Sequence, residues 1–346
     1  MWDGFIGNQI RRASKNLLIV NLVLLFFVAT SAFSNWRYLY NFAKGPFPID
    51  TSALANLPDP DSLQQYFVTV DNTNSFPTGL QEISVKNGQS TSKGTVLAEV
   101  HALPVGDRFL LVKVKRGQSG PQYAGALVRL PEEMRGKIPP KLAQHIVSGV
   151  LLDTTDFKEN GYWGLAVGIP LLLLALWNVL KAAQRFGRPE THPAIEKLKK
   201  FGTPEIMIGR IDAEVAASTP SDCAGETRVT ANWLLNAHSL GLNAIRLCDV
   251  VWAYRKVVQH RVNFVPAGKT NHAVVCTRDG KSLEITGKEV DVNQLLKIIA
   301  TRVPWILAGY DANIAKLWTS KRNAMIAAFD ERKANFLSAA AKPKTA

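Results

Sequence analysis

The side chains best suited to bind a metal or start a nucleophilic reaction are six histidines and three cysteines, and their spacing supports neither chemistry. His101 and His145 stand alone in separate segments, without the short separation that puts two imidazoles on one metal ion. Cys223, Cys248 and Cys276 form no CxxC pair and read as small apolar thiols. Glu132 and Glu133 could be imagined as an acid–base pair. Adjacent carboxylates just ahead of Met134 are better read as the start of a helix, whose dipole favours them. No glycine-rich phosphate loop, nucleophile elbow or HExxH pattern occurs. No catalytic residue, cofactor or metal is therefore expected.

Basic clusters are the other chemistry on offer. Arg255, Lys256, His260 and Arg261 fall together between two expected strands, where they could contact an anionic head group or a partner. Their spacing is looser than that of a dedicated phosphate cradle. Lys113, Lys115 and Arg116 make a basic strand face of the kind that usually protects a solvated sheet edge.

Two apolar runs organise everything else. Residues 17–33 are interrupted only by Asn21, Thr30 and Ser31, and residues 161–180 carry no charge and contain Pro170. Each is long enough for a spanning helix, the first only just. Trp36, Tyr38 and Tyr40 after the first run, and Tyr162, Trp163 and Trp177 around the second, suit an interfacial aromatic belt. A cleaved signal peptide is the rival for the first run, with small residues at 30–32, though its length favours an uncleaved anchor. Neither run contains an ionisable group, which argues against a proton or ion transporter.

The net charge of +13 is unevenly spread. Residues 34–160 hold 13 basic and 12 acidic side chains, whereas residues 181–346 hold 25 and 15. Basic residues close to the outer ends of both runs place both termini in the cytosol, with the loop outside, in a plasma (inner) membrane. The same rule accounts for the pI near 9.7, so no nucleic-acid partner is expected.

The expected order is therefore a cytosolic N-terminus (1–16), a first span (17–33), an extracytoplasmic domain (34–160), a second span (161–180), a basic connector (181–203), a cytosolic domain (204–303) and an amphipathic C-terminal helix (304–340). In the loop domain, stretches 66–70, 82–86, 95–102, 109–115 and 123–130 have strand composition, followed by a short helix at 140–147. They predict a small all-β antiparallel barrel or sandwich. In the cytosolic domain, seven strand-like stretches are 205–211, 228–235, 243–247, 250–256, 261–265, 272–277 and 282–285. Asp279-Gly280 signals a tight hairpin, and 290–301 an amphipathic helix. Residues 311–339 read as one further helix with a stripe of Ile314, Leu317, Trp318, Met325, Phe329 and Phe336, interrupted by Lys321 and Arg332.

Seven short strands closed by one helix is the plan of a pleckstrin-homology-like (PH-like) barrel. The segment Cys248-Asp249-Val250-Val251-Trp252-Ala253-Tyr254, the hairpin Thr277-Arg278-Asp279-Gly280-Lys281, and Pro304-Trp305-Ile306-Leu307-Ala308-Gly309-Tyr310-Asp311 carry the resemblance. Together they resemble uncharacterised, mostly bacterial, two-span membrane proteins with a PH-like cytosolic part. The resemblance covers roughly residues 205–335 and implies architecture, with no catalytic residues. The expected whole is an α+β membrane protein: a non-catalytic scaffold or sensor whose partners are the bilayer and either another protein or a second copy, met through the C-terminal helix. A module for anionic lipid head groups is the alternative. A third is an enzyme with an unrecognised extracytoplasmic site.

Overall fold

The computed structural model describes residues 2–341 except 56, 58, 85–94, 119 and 263–264. Two helices, α1 (Phe5–Ser34) and α6 (Phe157–Gly187), are long and apolar enough to cross a membrane. Only 6% of the apolar window of either is buried, so neither has the cover that a soluble core helix needs. Asn178 donates to Asn21 across the pair at 3.2 Å, giving a polar side chain in each apolar run a partner. The chain divides into two compact units, Val23–Leu176 and Met1–Leu22 with Trp177–Ala346.

In the first unit, α2 (Trp36–Lys44), β1 (Phe47–Pro48) and α3 (Thr51–Leu54) precede the main strands. These are β2 (Phe67–Asp71), β3 (Phe76–Ser84), β4 (Thr95–Val105), β5 (Arg108–Lys115) and β6 (Gln122–Arg129). Helices α4 (Glu132–Arg135) and α5 (Pro140–Ala143) follow, then β7 (Ile146–Asp153). All seven strands form one mixed sheet in the order β1-β2-β6-β7-β5-β4-β3.

This corrects the expected antiparallel barrel or sandwich: the sheet is open, and β5 runs parallel to β7. Alternation along β5 shows why no second sheet is needed. Leu110, Val112 and Val114 meet Leu54 and the segment around Leu57 and Leu63 on one face, while Leu111 meets Leu130, Ile138 and Leu142 on the other. Short helices and loops thus cover both faces. Strand β7 is absent from the sequence reading, which gave 140–147 to a helix. The helix is one turn started by Pro139 and Pro140, and the β-branched run after it pairs between β5 and β6. Of the expected strand 82–86, residues 85–86 lie outside the described residues. Glu132 and Glu133 do occupy the first turn of a helix.

In the second unit, two helices occupy most of residues 193–217: α7 (Pro193–Leu198) and α8 (Pro204–Ala217). The strand expected at 205–211 is therefore wrong, because the spacing of Met207, Ile208, Ile211 and Val215 is helical and Pro204 sits in the first turn. The connector expected at 181–203 contributes Ala194, Ile195 and Leu198 to a core with Met207, Ile208 and Ile211. Ile6 and Ile10 of α1 belong to the same core, as do Trp233, Leu235 and Leu242.

Two sheets follow. Strands β8 (Cys223–Ala224), β9 (Thr227–Val229), β10 (Trp233–His238) and β11 (Gly241–Arg246) lie in the order β11-β10-β9-β8. Strands β12 (Val250–Val262), β13 (Val265–Thr277), β14 (Ser282–Gly287) and β15 (Leu307–Ala308) lie in the order β14-β13-β12-β15. Helix α9 (Glu289–Arg302) seats Val292, Leu295 and Ile299 in one core with Val229 and Leu234 of the first sheet and Val250, Val251, Ala273 and Val275 of the second. Both sheets are open, and among the described residues no closed barrel forms.

The single strand expected at 228–235 is two, β9 and β10, parted at residues 230–232. The stretch 261–265 is no separate strand: Arg261 and Val262 continue β12, and residues 263–264 lie outside the described residues. Gly280, at φ +82°, makes the expected β13–β14 hairpin. The last helix is two helices, α10 (Ala312–Ser320) and α11 (Arg322–Ala341), broken where Lys321 leaves the helical conformation. No Gly or Pro marks that break, which hid it from a wheel drawn on the sequence.

Candidate functional site

The four residues singled out as a loop cluster do not form one. All lie on the strand β12, and strand alternation sends Arg255 and Arg261 to one face and Lys256 and His260 to the other. Arg255 donates to Asn271 Oδ1 at 2.9 Å and pairs with Glu289 at 2.9 Å. Lys256 pairs with Glu284 at 2.8 Å, and His260 Nε2 lies 2.6 Å from Thr270 Oγ1. Arg261 is exposed and has no partner among the described residues. These charges mainly tie β12 to β13, β14 and α9. The sequence reading ended the strand too early, at residue 256, and so took its continuation for a loop.

Other candidates are similarly placed in structural roles. Lys113 pairs with Glu82 at 2.7 Å and Asp153 at 3.4 Å, and Lys115 with Asp156 at 2.9 Å. Burial works against the Lys113 ammonium, but these carboxylates more than offset it and raise its pKa. Cys276 is buried, and burial pushes its thiol up to about 11, so it is a poor nucleophile. Among the described residues no group of three or more His, Cys, Asp and Glu could hold a metal ion. His192 is buried beside α7. Burial first, then the charges of Arg185, His238 and Lys197, push it down to about 4. The neutral ring accepts the Ala194 N–H on Nδ1 and caps the helix.

A concave surface without charge pairing lies on the C-terminal helices. The outer face of the second sheet carries Trp252, Val274 and Cys276, covered by Met325 with Ile314 and Trp318 against it. Trp252 is 2% exposed, stacks on Tyr254 at a centroid distance of 4.2 Å, and donates Nε1–H to Gly309 O at 2.8 Å. The ring is thus core. Asp311 caps α10 by accepting from Asn313 and Ile314 N–H.

Between α10 and α11 this packing leaves an apolar groove of about 380 Å³. Leu317, Met325, Ala328 and Phe329 form much of it, with Trp305 and Leu307 below. Its only charged lining residues are Lys321 and Arg332, and neither has an ion-pair partner among the described residues. The sequence stripe contained Ile314, Leu317, Met325, Phe329 and both cations, but not Ala328, Trp305 or Leu307. The groove itself needed the break at Lys321, which folds one stripe into two walls.

Residues 193–318 match the family model of a domain of unknown function, DUF6709. The match opens at α7, spans both sheets and α9, and ends inside α10. The segment read from sequence as a connector is therefore partly inside the matched domain. No curated protein and no solved structure matches the chain.

Proposed function

We propose that this protein is a two-span, non-catalytic membrane scaffold whose PH-like C-terminal unit docks a partner protein through the α10–α11 groove. The PH-like reading rests on order: four antiparallel strands, then three, then a helix packed into the core between them. The groove carries the docking reading. It is apolar, preformed, and flanked by two cations without an ion-pair partner among the described residues, so it suits an amphipathic segment with Asp or Glu beside its apolar residues.

A photo-activated cross-linking residue at position 317 in the full-length protein tests this in native membranes. Adducts to a polypeptide that disappear when Lys321→Glu and Arg332→Glu are combined would support an acidic partner. Adducts to a second copy of the chain would make the groove an oligomer interface instead. Adducts to lipid alone would overturn protein docking.

The orientation also belongs to this reading. Residues 2–16 and 181–341 fall in one unit, which supports placing both on the same side of a bilayer crossed by α1 and α6. The basic excess of residues 181–346 makes that side the cytosol, and a plasma (inner) membrane the favoured location. A reporter active only outside the cytosol should work when fused after residue 120 and fail after residue 346. The reverse pattern would sink the assignment.

A further inference from the structure

A second cavity, of about 540 Å³, opens between β11, the β13–β14 hairpin and the turn after α7. That volume is in the range of small-ligand sites. Its chemistry is cationic: Lys197, Lys200, Arg246, Arg278 and Lys281 line it, against Asp249 and Asp279. None of these cations belongs to the cluster noted on β12.

Several of the cations are held in place. Arg246 makes a two-pronged contact with Asp249, at 2.8 and 3.2 Å, and its guanidinium lies 4.6 Å from the Phe201 ring centroid. Lys197 donates to Asn243 Oδ1 at 3.3 Å. Arg278 pairs with Asp330 of α11. Asp279 accepts from Thr277 Oγ1 at 2.6 Å and pairs with Lys281 at 3.2 Å. The wall is therefore ordered before any ligand arrives, which lowers the entropic cost of binding.

Lys200 is the exception. It makes no ion pair among the described residues, and it lines the cleft together with Lys281, whose side chain is its nearest strong electrostatic neighbour. The neighbouring Lys281 ammonium, ahead of burial, holds Lys200 below the usual lysine pKa. Two neighbouring like charges repel, and an anion seated between them turns that repulsion into two attractions.

We infer that this cleft binds a phosphate-bearing anion between Lys200 and Lys281, with Arg246 as the planar donor beside it. Lys197 and Lys200 follow closely on the end of α6, so a phospholipid head group and a free phosphate compound are both sources of this chemistry. The site shares no residue with the α10–α11 groove and does not depend on that groove having a partner.

Full-length protein tests this in two arms, with inorganic pyrophosphate titrated in detergent and with nanodiscs containing either phosphatidic acid or only phosphatidylcholine. Saturable binding in either arm should weaken about tenfold or more when Lys200→Gln and Lys281→Gln are combined. Lys297→Gln with Lys316→Gln removes the same charge from exposed positions in the same unit and should leave affinity within about twofold. Binding to pyrophosphate identifies a free ligand, and binding to phosphatidic acid nanodiscs alone identifies a lipid. No saturable binding in either arm, or equal losses in both variants, would overturn the inference.

Discussion

Replacing Ile6 and Ile10 together by alanine is expected to destabilise the C-terminal unit by about 4 kcal/mol or more, since each buried Ile→Ala change costs about 2–5 kcal/mol. Both side chains are fully buried, and their core contains Trp233, Leu235 and Leu242 from the first sheet and Ile195, Ile208 and Ile211 from α7 and α8. Polar contacts hold the same helix face. Gln9 Nε2 donates to the carbonyls of His238 and Gly241 at 3.0 and 3.2 Å, and Asn16 Nδ2 to that of Ser239 at 2.7 Å. Asp212 Oδ1 accepts the Ile6 N–H at 3.0 Å. The first turns of α1 therefore act as a strut bound to the β10–β11 hairpin. Thermal unfolding of the full-length protein in detergent, followed by tryptophan fluorescence, is the measurement. Ile19→Ala with Val20→Ala, exposed on the same helix, should cost under about 1 kcal/mol. If both pairs melt like the parent, the N-terminal segment is no part of this core.

Trp252→Ala should cost about 3–5 kcal/mol, the usual range for a large aromatic removed from a core. Its ring is enclosed by β13, α10 and α11 and stacks on Tyr254. Loss of the Nε1–H bond to Gly309 also releases the segment that carries β15, which pairs with β12 at Trp252 and Ala253. Trp252→Phe keeps an aromatic in the site and loses the hydrogen bond, so it should cost less, near 1–2 kcal/mol. Denaturant unfolding with near-ultraviolet circular dichroism separates the cases. Parental stability in Trp252→Ala would mean the ring is a surface platform, and the α10–α11 cover would fail with it.

Much of the C-terminal unit was legible from local rules. Helix α9 was visible because Val292, Leu295 and Ile299 recur at helical spacing behind Asp291, and Arg302 precedes Pro304. The β13–β14 hairpin was visible because Asp279-Gly280 meets the positive φ that such a turn requires. Where the reading failed, two elements shared one local pattern. Residues 205–211 hold a short apolar run, Ile206-Met207-Ile208, that suits a strand as well as a helix, yet Met207, Ile208, Ile211 and Val215 line one side of a longer helix. A short window does not separate the two periods. Strand β7 was missed because its β-branched residues follow a proline-started turn directly, and its parallel pairing with β5 is a long-range choice.

The sequence by itself determined the two apolar helices, the charge asymmetry around them, and the lack of a catalytic or metal-binding motif. Each follows from the length of an uninterrupted apolar run, from net charge, or from neighbours a few residues apart. Tertiary structure decided the rest. It put the N-terminal turns of α1 into the core around Trp233, dispersed Arg255, Lys256, His260 and Arg261 along one strand, and gathered Lys197, Arg246 and Lys281 around one cleft. Those residues come from α7, β11 and the β13–β14 hairpin. No local spacing relates them, because their meeting depends on how apolar faces far apart in the chain find a common cover.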